Sequence, residues 1–318
     1  MQTTLRSIAR FKGVGLHSGT SVTLAVHPAR AGSGIVFERL DMPPSLRRIP
    51  VCADNLIEAS LCTQLGNAHG VTVSTIEHLM AALAGCGIHN ARITLDGPEV
   101  PILDGSARPF VARFLAIGLR QLGVPLKVIR VLRPVEVQMG AAMARLEPAR
   151  MLSIAFEIDF PADAAIGRQI KDLEMCNGAF VRELSDSRTF CRQADVEAMQ
   201  ASGLALGGSY ENAVVFEGAR VLSPGGLRHA DEPVRHKMLD AMGDLAVAGA
   251  PILGRYIGRK AGHSLTGRLV KALLSTPQAC EFVTVSADAA HELPGAGLVP
   301  ADLQPVSRPD MASLLGAA

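Results

Sequence analysis

One stretch of alternating residues sets the first constraint on the fold. Leu152, Ile154, Phe156, Ile158 and Phe160 alternate with Ser153, Ala155, Glu157 and Asp159. Successive side chains of a strand point to opposite faces, so a period of two demands a strand with one apolar face and one wet face. Residues 22–26, 34–38 and 91–95 read as further strands, separated by turns rich in Gly, Pro and Ser. Helical spacing interrupts them. Ile76, Leu79, Met80 and Leu83 fall at i, i+3, i+4 and i+7, and Ser74 with Glu77 three residues later forms a capping-box pattern at that helix's start. Residues 109–118 predict a second helix. Past Gly123-Val124-Pro125, residues 128–137 predict a strand. Residues 232–248 predict a helix, with Pro233 suited to its first turn and Gly249 beyond its end. A strand is expected at 252–259 and a helix at 265–274.

Strands and helices thus mix in each half without a regular βαβ alternation, which indicates an α+β fold. A chain of 318 residues suits two domains of ordinary size. We expect them at 1–124 and 125–292, followed by a loosely ordered tail at 293–318, rich in Pro, Gly and Ala. No sequence repeat relates the two halves.

Composition narrows the function. The formal net charge is +1 and no basic block or nucleic-acid-reading motif is present, so no nucleic-acid partner is expected. No apolar run approaches the ~20 residues of a membrane span, and the first residues lack the apolar stretch of a secretion signal. A cytoplasmic protein is the expectation. The six cysteines are scattered, with no C-x-x-C pair. They read as free thiols in a reducing compartment and not as a structural zinc site. Any metal must therefore be held by histidines and carboxylates.

Three segments carry residues suited to that task. In the helix expected at 232–248, His236, Asp240 and Asp244 form one stripe at about 100° per residue, while Val234, Met238, Ala241, Met242 and Leu245 lie opposite. A His and an Asp four residues apart sit over the same turn and can converge on one cation. The plain alternative is a solvated helix face with a local His–Asp pair. Adjacent Glu77 and His78 form the second segment. One such residue can ligate zinc while the other handles the proton of a water, although the known zinc-protease spacings are absent. The plain alternatives are a capping glutamate and an ordinary polar helix residue. His263, in an expected turn between strand and helix, is the third and a candidate acid or base. Together His78, His236 and Asp240 supply two imidazoles and one carboxylate, which leaves a zinc position free for water.

These residues stand within longer motifs: Gly13-Val14-Gly15-Leu16-His17-Ser18-Gly19, Ser74-Thr75-Ile76-Glu77-His78-Leu79, Pro101-Ile102-Leu103-Asp104-Gly105-Ser106, Ser187-Arg188-Thr189-Phe190, Val234-Arg235-His236-Lys237-Met238-Leu239-Asp240 and Gly262-His263-Ser264. In this order and spacing, from about residue 3 to 290, the chain resembles the bacterial UDP-3-O-acyl-N-acetylglucosamine deacetylases, zinc amidases of lipid A biosynthesis. The resemblance implies two similar α+β domains whose helices pack together between two outer sheets, with the site at their interface. It implies zinc, replaceable by iron(II), on His78, His236 and Asp240. Glu77 is then the base toward water, and Thr189 and Lys237 stabilise the oxyanion. His263 protonates the leaving amine, held by Asp244. For the substrate, a UDP-linked acylated amino sugar, it implies contacts from Leu61, Cys62, Asp159, Phe160 and Phe190. Asp159 and Phe160 meet uracil, and Val196, Gly208, Ala213 and Val215 line an acyl passage. Arg192 and Gln193 depart from the more apolar residues usual at that passage. A small-molecule substrate and a monomer are expected. His17 is a further candidate near the substrate, and Asp104-Gly105-Ser106 reads as a structural turn. Two other functions share the same metal set: a zinc amidase or esterase with a different substrate, and a metal-stabilised binding protein without turnover.

Overall fold

The computed structural model describes residues 1–59 and 61–303. Two five-stranded sheets dominate it. The first is built from β1 (Ala9–Val14), β2 (Ser21–Pro28), β3 (Ile35–Arg39), β4 (Arg48–Pro50) and β5 (Ala91–Leu95), in the spatial order β1-β2-β5-β3-β4. The second contains β6 (Val135–Met139), β7 (Ala142–Glu147), β8 (Ser153–Phe160), β9 (Gly167–Glu174) and β10 (Arg255–Arg259), in the order β6-β7-β10-β8-β9. The two orders are the same. In each sheet the last strand of the chain enters the middle, antiparallel to the second strand and parallel to the third. The structure therefore contains an internal repeat that no sequence match revealed.

The helices repeat as well. Helix α1 (Glu77–Gly85) leads into β5 and α2 (Arg108–Ile117) follows it. After α3 (Gln193–Ala201), helix α4 (Glu232–Leu245) leads toward β10, and α5 (His263–Ser275) follows it. Helices α1 and α4 pack directly on each other, α4 and α5 reach the second sheet, and α2 touches the first. The chain is thus α+β, two similar sheet-and-helix units with their helices packed between two outer sheets.

The alternating stretch forms β8 as its period required. Ile154, Phe156 and Ile158 are buried, while Glu157 and Asp159 lie on the wetter face. Each buried apolar side chain of this kind contributes roughly 1.5–3 kcal/mol. Other expectations changed. The strand read at 128–137 is two strands, Lys127–Val131 and β6, in different sheets. Pro134 between them offers no N–H to a ladder. The strand read at 252–259 divides at Gly254 into Ile252–Leu253 and β10. The capping box is absent: α1 has Ile76 at its N-cap without a side-chain cap bond. The Ser74 hydroxyl instead accepts from the Gln64 side chain, 2.8 Å away. Of the tail expected at 293–318, residues 304–318 lie outside the described residues, and Leu293 is buried against the apolar cluster of Leu126, Val128 and Leu253.

Each half carries an insert before its crossover helix. The first, with short strands Leu56–Ile57, Gln64–Gly66 and Thr72–Val73, precedes α1. The second precedes α4 and holds Phe190–Arg192, α3, Val214–Glu217 and Arg220–Val221.

Candidate active site

Helices α1 and α4 meet where α4 carries Gly243. A Cβ at that position would overlap the carbonyl of Glu77, so only glycine lets the two backbones come this close. The crossing sets the first turn of α1 beside the His236–Asp240–Asp244 stripe of α4. All of Glu77, His78, His236, Asp240 and Asp244 are buried.

One ligand atom from each of His78, His236 and Asp240 lies within 4.8 Å of the other two. Asp240 Oδ1 stands 3.6 Å from His78 Nε2 and 3.2 Å from His236 Nε2. That oxygen is buried and makes no hydrogen bond. Leaving a buried acceptor unsatisfied costs about 1–3 kcal/mol, a penalty that a cation at the meeting point removes. The outer partners fit the same purpose. The Nδ1–H of His236 donates to the Ser187 carbonyl at 3.0 Å, which turns its free Nε2 lone pair inward. The Lys237 ammonium donates to the other Asp240 oxygen at 2.7 Å. Burial opposes charge on Asp240, yet His236, Lys237 and His263 hold its carboxyl well below the ordinary range. Burial pushes His78 down and so favours its neutral form, the form able to bind a metal. The cluster is able to hold a metal ion, and two imidazoles with one carboxylate suit zinc or iron(II).

Two titratable groups flank the cluster. Burial raises Glu77 to about 7, with the charges of Asp240 and Asp244 adding to it and His263 opposing. His263 is the first residue of α5, with Gly262 as N-cap, where sequence reading placed it in a turn. Its Nε2 lies 3.9 Å from Glu77 Oε1 and 3.8 Å from Asp240 Oδ2. Its Nδ1 lies 3.0 Å from Asp244 Oδ2. Burial would lower His263, but Asp244, Glu77 and Asp240 raise it to about 9, so it is protonated at neutral pH.

The remaining candidates spread outward from this centre. Phe190 stacks edge-on to His236 with ring centroids 6.3 Å apart and to Phe160 at 5.7 Å. Thr189 is fixed between the two halves, its N–H donating to the Gly105 carbonyl at 2.8 Å. Cys62 is buried next to Glu77, and burial followed by that charge pushes its thiol up to about 12. Leu61 beside it is exposed. Asp159 is paired with Lys260 at 2.7 Å in a shallow cleft shared with Glu157, Arg168 and Arg259. In the second insert Ala213 and Val215 are buried, Val196 is half-buried on α3, and Gly208 packs against Leu16. Ser106 donates to the Asp104 carboxylate at 2.8 Å, and Asp104 also binds Arg228 at 3.0 Å. A separate apolar cavity of about 610 Å³ lies toward the C-terminal ends of α1 and α4 and touches none of these residues.

Sequence reading missed four contributors. Thr63 touches both Glu77 and Asp244. Gly243 sets the helix crossing, and its signal was a glycine in mid-helix. Ser187 orients His236 through its backbone, which leaves no mark in residue type. Glu99, also buried, accepts the N–H of His17 and of Ser18 at 2.9 Å each and the Thr75 hydroxyl at 2.8 Å. Thr75 has φ +57°, costly for a β-branched residue, and this clamp holds it directly ahead of α1. His17 points two buried ring nitrogens at no protein partner.

Comparison with known proteins identifies the family. Residues 2–275 match the family model of LpxC, UDP-3-O-acyl N-acetylglycosamine deacetylase. The chain is similar to the UDP-3-O-acyl-N-acetylglucosamine deacetylase of Phenylobacterium zucineum (strain HLK1), with 51% identity over 290 residues, covering 91% of this chain and 99% of that protein. It is also similar to the proteins of that name from Shewanella baltica (strain OS155) and Shewanella oneidensis. Each is 46% identical over 289 residues, covering 91% of this chain and 94% of the relative.

Proposed function

The chain belongs to the UDP-3-O-acyl N-acetylglycosamine deacetylase family, and from that premise we propose that it hydrolyses the acetamide of a UDP-linked 3-O-acyl-N-acetylglucosamine with zinc as its metal. The observation that carries this reading is the convergence of His78, His236 and Asp240 from two helices on a buried oxygen without a hydrogen-bond partner, flanked by Glu77 and His263. Those three residues would hold the ion. When bound, it supplies Lewis-acid chemistry, acidifying a water and polarising a carbonyl.

The chain's own residues do the rest. Glu77 takes a proton from the attacking water. Burial holds its carboxyl at about 7 even against the opposing charge of His263, so about half is anionic at neutrality, and a cation at the cluster would favour the anion further. The water oxygen forms a bond to the acetyl carbon. Lys237 and the Thr189 hydroxyl face the charge that develops on the carbonyl oxygen, fixed in place before the reaction begins. His263 gives its proton to the departing nitrogen as the carbon–nitrogen bond breaks, and Asp244 keeps that imidazole charged and oriented. Acetate and a free amine result. Asp159 and Phe160 take the uracil, with Leu61, Cys62 and Phe190 near the sugar. Val196, Gly208, Ala213 and Val215 line the acyl passage. We assign the step to lipid A biosynthesis, carried out by a cytoplasmic monomer. Among the described residues no helix is long and apolar enough to cross a membrane.

The test is acetate release from the UDP-linked acyl sugar, with and without a chelator. Activity that chelation abolishes and zinc restores supports the reading. Full activity after the metal has been removed overturns it. Equal rates on substrates lacking the nucleotide or the acyl chain overturn the substrate assignment.

A further inference from the structure

The two proton-handling groups of the site come from different halves of the chain, yet one residue touches both. Thr63, in the first insert, is 4% exposed. Its main-chain N–H donates to Glu77 Oε2 at 3.0 Å. Its carbonyl accepts from the N–H of Ile76, the residue before α1, at 3.4 Å. Its hydroxyl binds Asp244 Oδ1 and lies 3.3 Å from His263 Nδ1.

We propose that Thr63 is a positioning residue that sets the relative placement of Glu77 and the Asp244–His263 pair. The inference rests on the deacetylase reading above for what those groups do. An ionised carboxylate can only accept, so the single hydroxyl proton of Thr63 must go to Asp244. The hydroxyl thereby holds Asp244 Oδ1 and fixes the plane of the carboxylate, both oxygens of which lie against His263 Nδ1, Oδ1 at 3.1 Å and Oδ2 at 3.0 Å. The branched side chain restricts χ1, so the hydroxyl is aimed before substrate arrives. Glu77, meanwhile, is held through the backbone of the same residue. Base and acid are thus referenced to one point across the interface of the two halves, although they sit on helices α1 and α5.

The experiment compares Thr63→Val, Thr63→Ser and the parent, each in the zinc-loaded protein. Valine keeps the shape, the branching and the N–H but loses the hydroxyl; serine restores the hydroxyl. We expect Thr63→Val to lower kcat by about 10-fold or more, the scale of lost outer partners of a metal site. KM and zinc affinity by chelator competition should stay within about twofold, because neither substrate binding nor the ligands are touched. Thr63→Ser should recover most of kcat. The downfield Nδ1–H proton resonance of His263 should be present in the parent and in Thr63→Ser, and exchange-broadened in Thr63→Val. An unchanged kcat in Thr63→Val overturns the proposal. So does equal damage in the serine and valine variants, which marks a packing role. If Thr63→Val does not fold, Thr63→Ala replaces it with the same expectations. The resonance comparison needs no substrate, so it decides the role of Thr63 even if the parent proves inactive and the deacetylase reading fails.

Discussion

The two halves share one plan and divide the work unequally. Both sheets have the same strand order, and both place a helix ahead of the central strand and another behind it. Yet α1 offers Glu77 and His78 only at its first turn, whereas α4 lines up His236, Asp240 and Asp244 along three turns and α5 adds His263. The inserts differ further. The first buries Thr63 and Cys62 beside Glu77. The second carries α3, none of whose residues is buried. A repeated framework therefore fixes where the helices cross, while individual residues and inserts decide what happens there. Fold and function are separable in this sense.

The sharpest test of the division removes from each half the residue proposed to handle a proton. Glu77→Ala and His263→Ala should each lower kcat by roughly 10²-fold or more while the zinc-loaded protein stays folded, the usual scale for a lost base or acid. A full rate in either variant, measured on the UDP-linked acyl sugar, would show that one half is dispensable and break the comparison.

The next largest effect concerns the crossing. Gly243→Ala puts a methyl into the Glu77 carbonyl, and such overpacking costs about 1–3 kcal/mol. Gly267 in α5 serves as its counterpart, since a Cβ there meets only Leu56 Cδ1 at 3.6 Å. Gly267→Ala should stabilise by up to about 1 kcal/mol through helix propensity. Urea unfolding of both variants should show opposite signs; the same sign would remove the special status given to the crossing.

Acid should distinguish the halves next. His89, between α1 and β5, accepts the Thr3 N–H on Nδ1 at 3.2 Å, and burial lowers it to about 4. Its folded value lies below the unfolded one of about 6.5. Between the two, the unfolded chain binds the extra proton, so stability rises with pH across that window and is flat above it. The part of this loss that belongs to His89, read as the difference between the parent and His89→Gln on lowering the pH from 7 to 4.5, should be on the order of 2 kcal/mol, discounted for the ring's part exposure. Hydrogen exchange should show protection lost first at Thr3–Leu5 and its partner Leu119–Gln121. Earlier loss in the second sheet would contradict this. The smallest effect belongs to α3: Glu197→Ala on its exposed face should leave stability within about 0.5 kcal/mol, and a larger change in the melting curve would mean that the helix is packed after all.

Much of the fold could be read from the chain because burial is one-sided. The period of two at β8 and the helical spacing of α1 both follow from a face turned to the core. What could not be read depends on partners far away in sequence. Residues 128–137 looked continuous because every strand residue there suits a strand, and only the tertiary placement on either side of Pro134 separates them. Ser74 and Glu77 matched a local cap, but Gln64 and Thr63 outcompete it. The metal set was assembled from motifs, since spacing alone cannot bring residue 78 to residue 236. Thr63 was invisible because a threonine in a short loop has no pattern until Asp244 lies against it. The repeat was hidden because many residues satisfy the same buried position.

The shared strand order also governs how such a chain must fold. In each sheet the strand that arrives last belongs in the middle, so two pairs of strands wait with open edges until it is inserted. Exposed edges invite pairing with other chains, and parallel, non-local pairing forms slowly. In both halves the helix that delivers the closing strand is the one that bears residues of the His78–His236–Asp240 cluster. During synthesis the first sheet can be completed soon after His78 emerges, but the second stays split for the 80 residues between β9 and β10. That interval is the stretch in which open strand edges would be most exposed to mispairing.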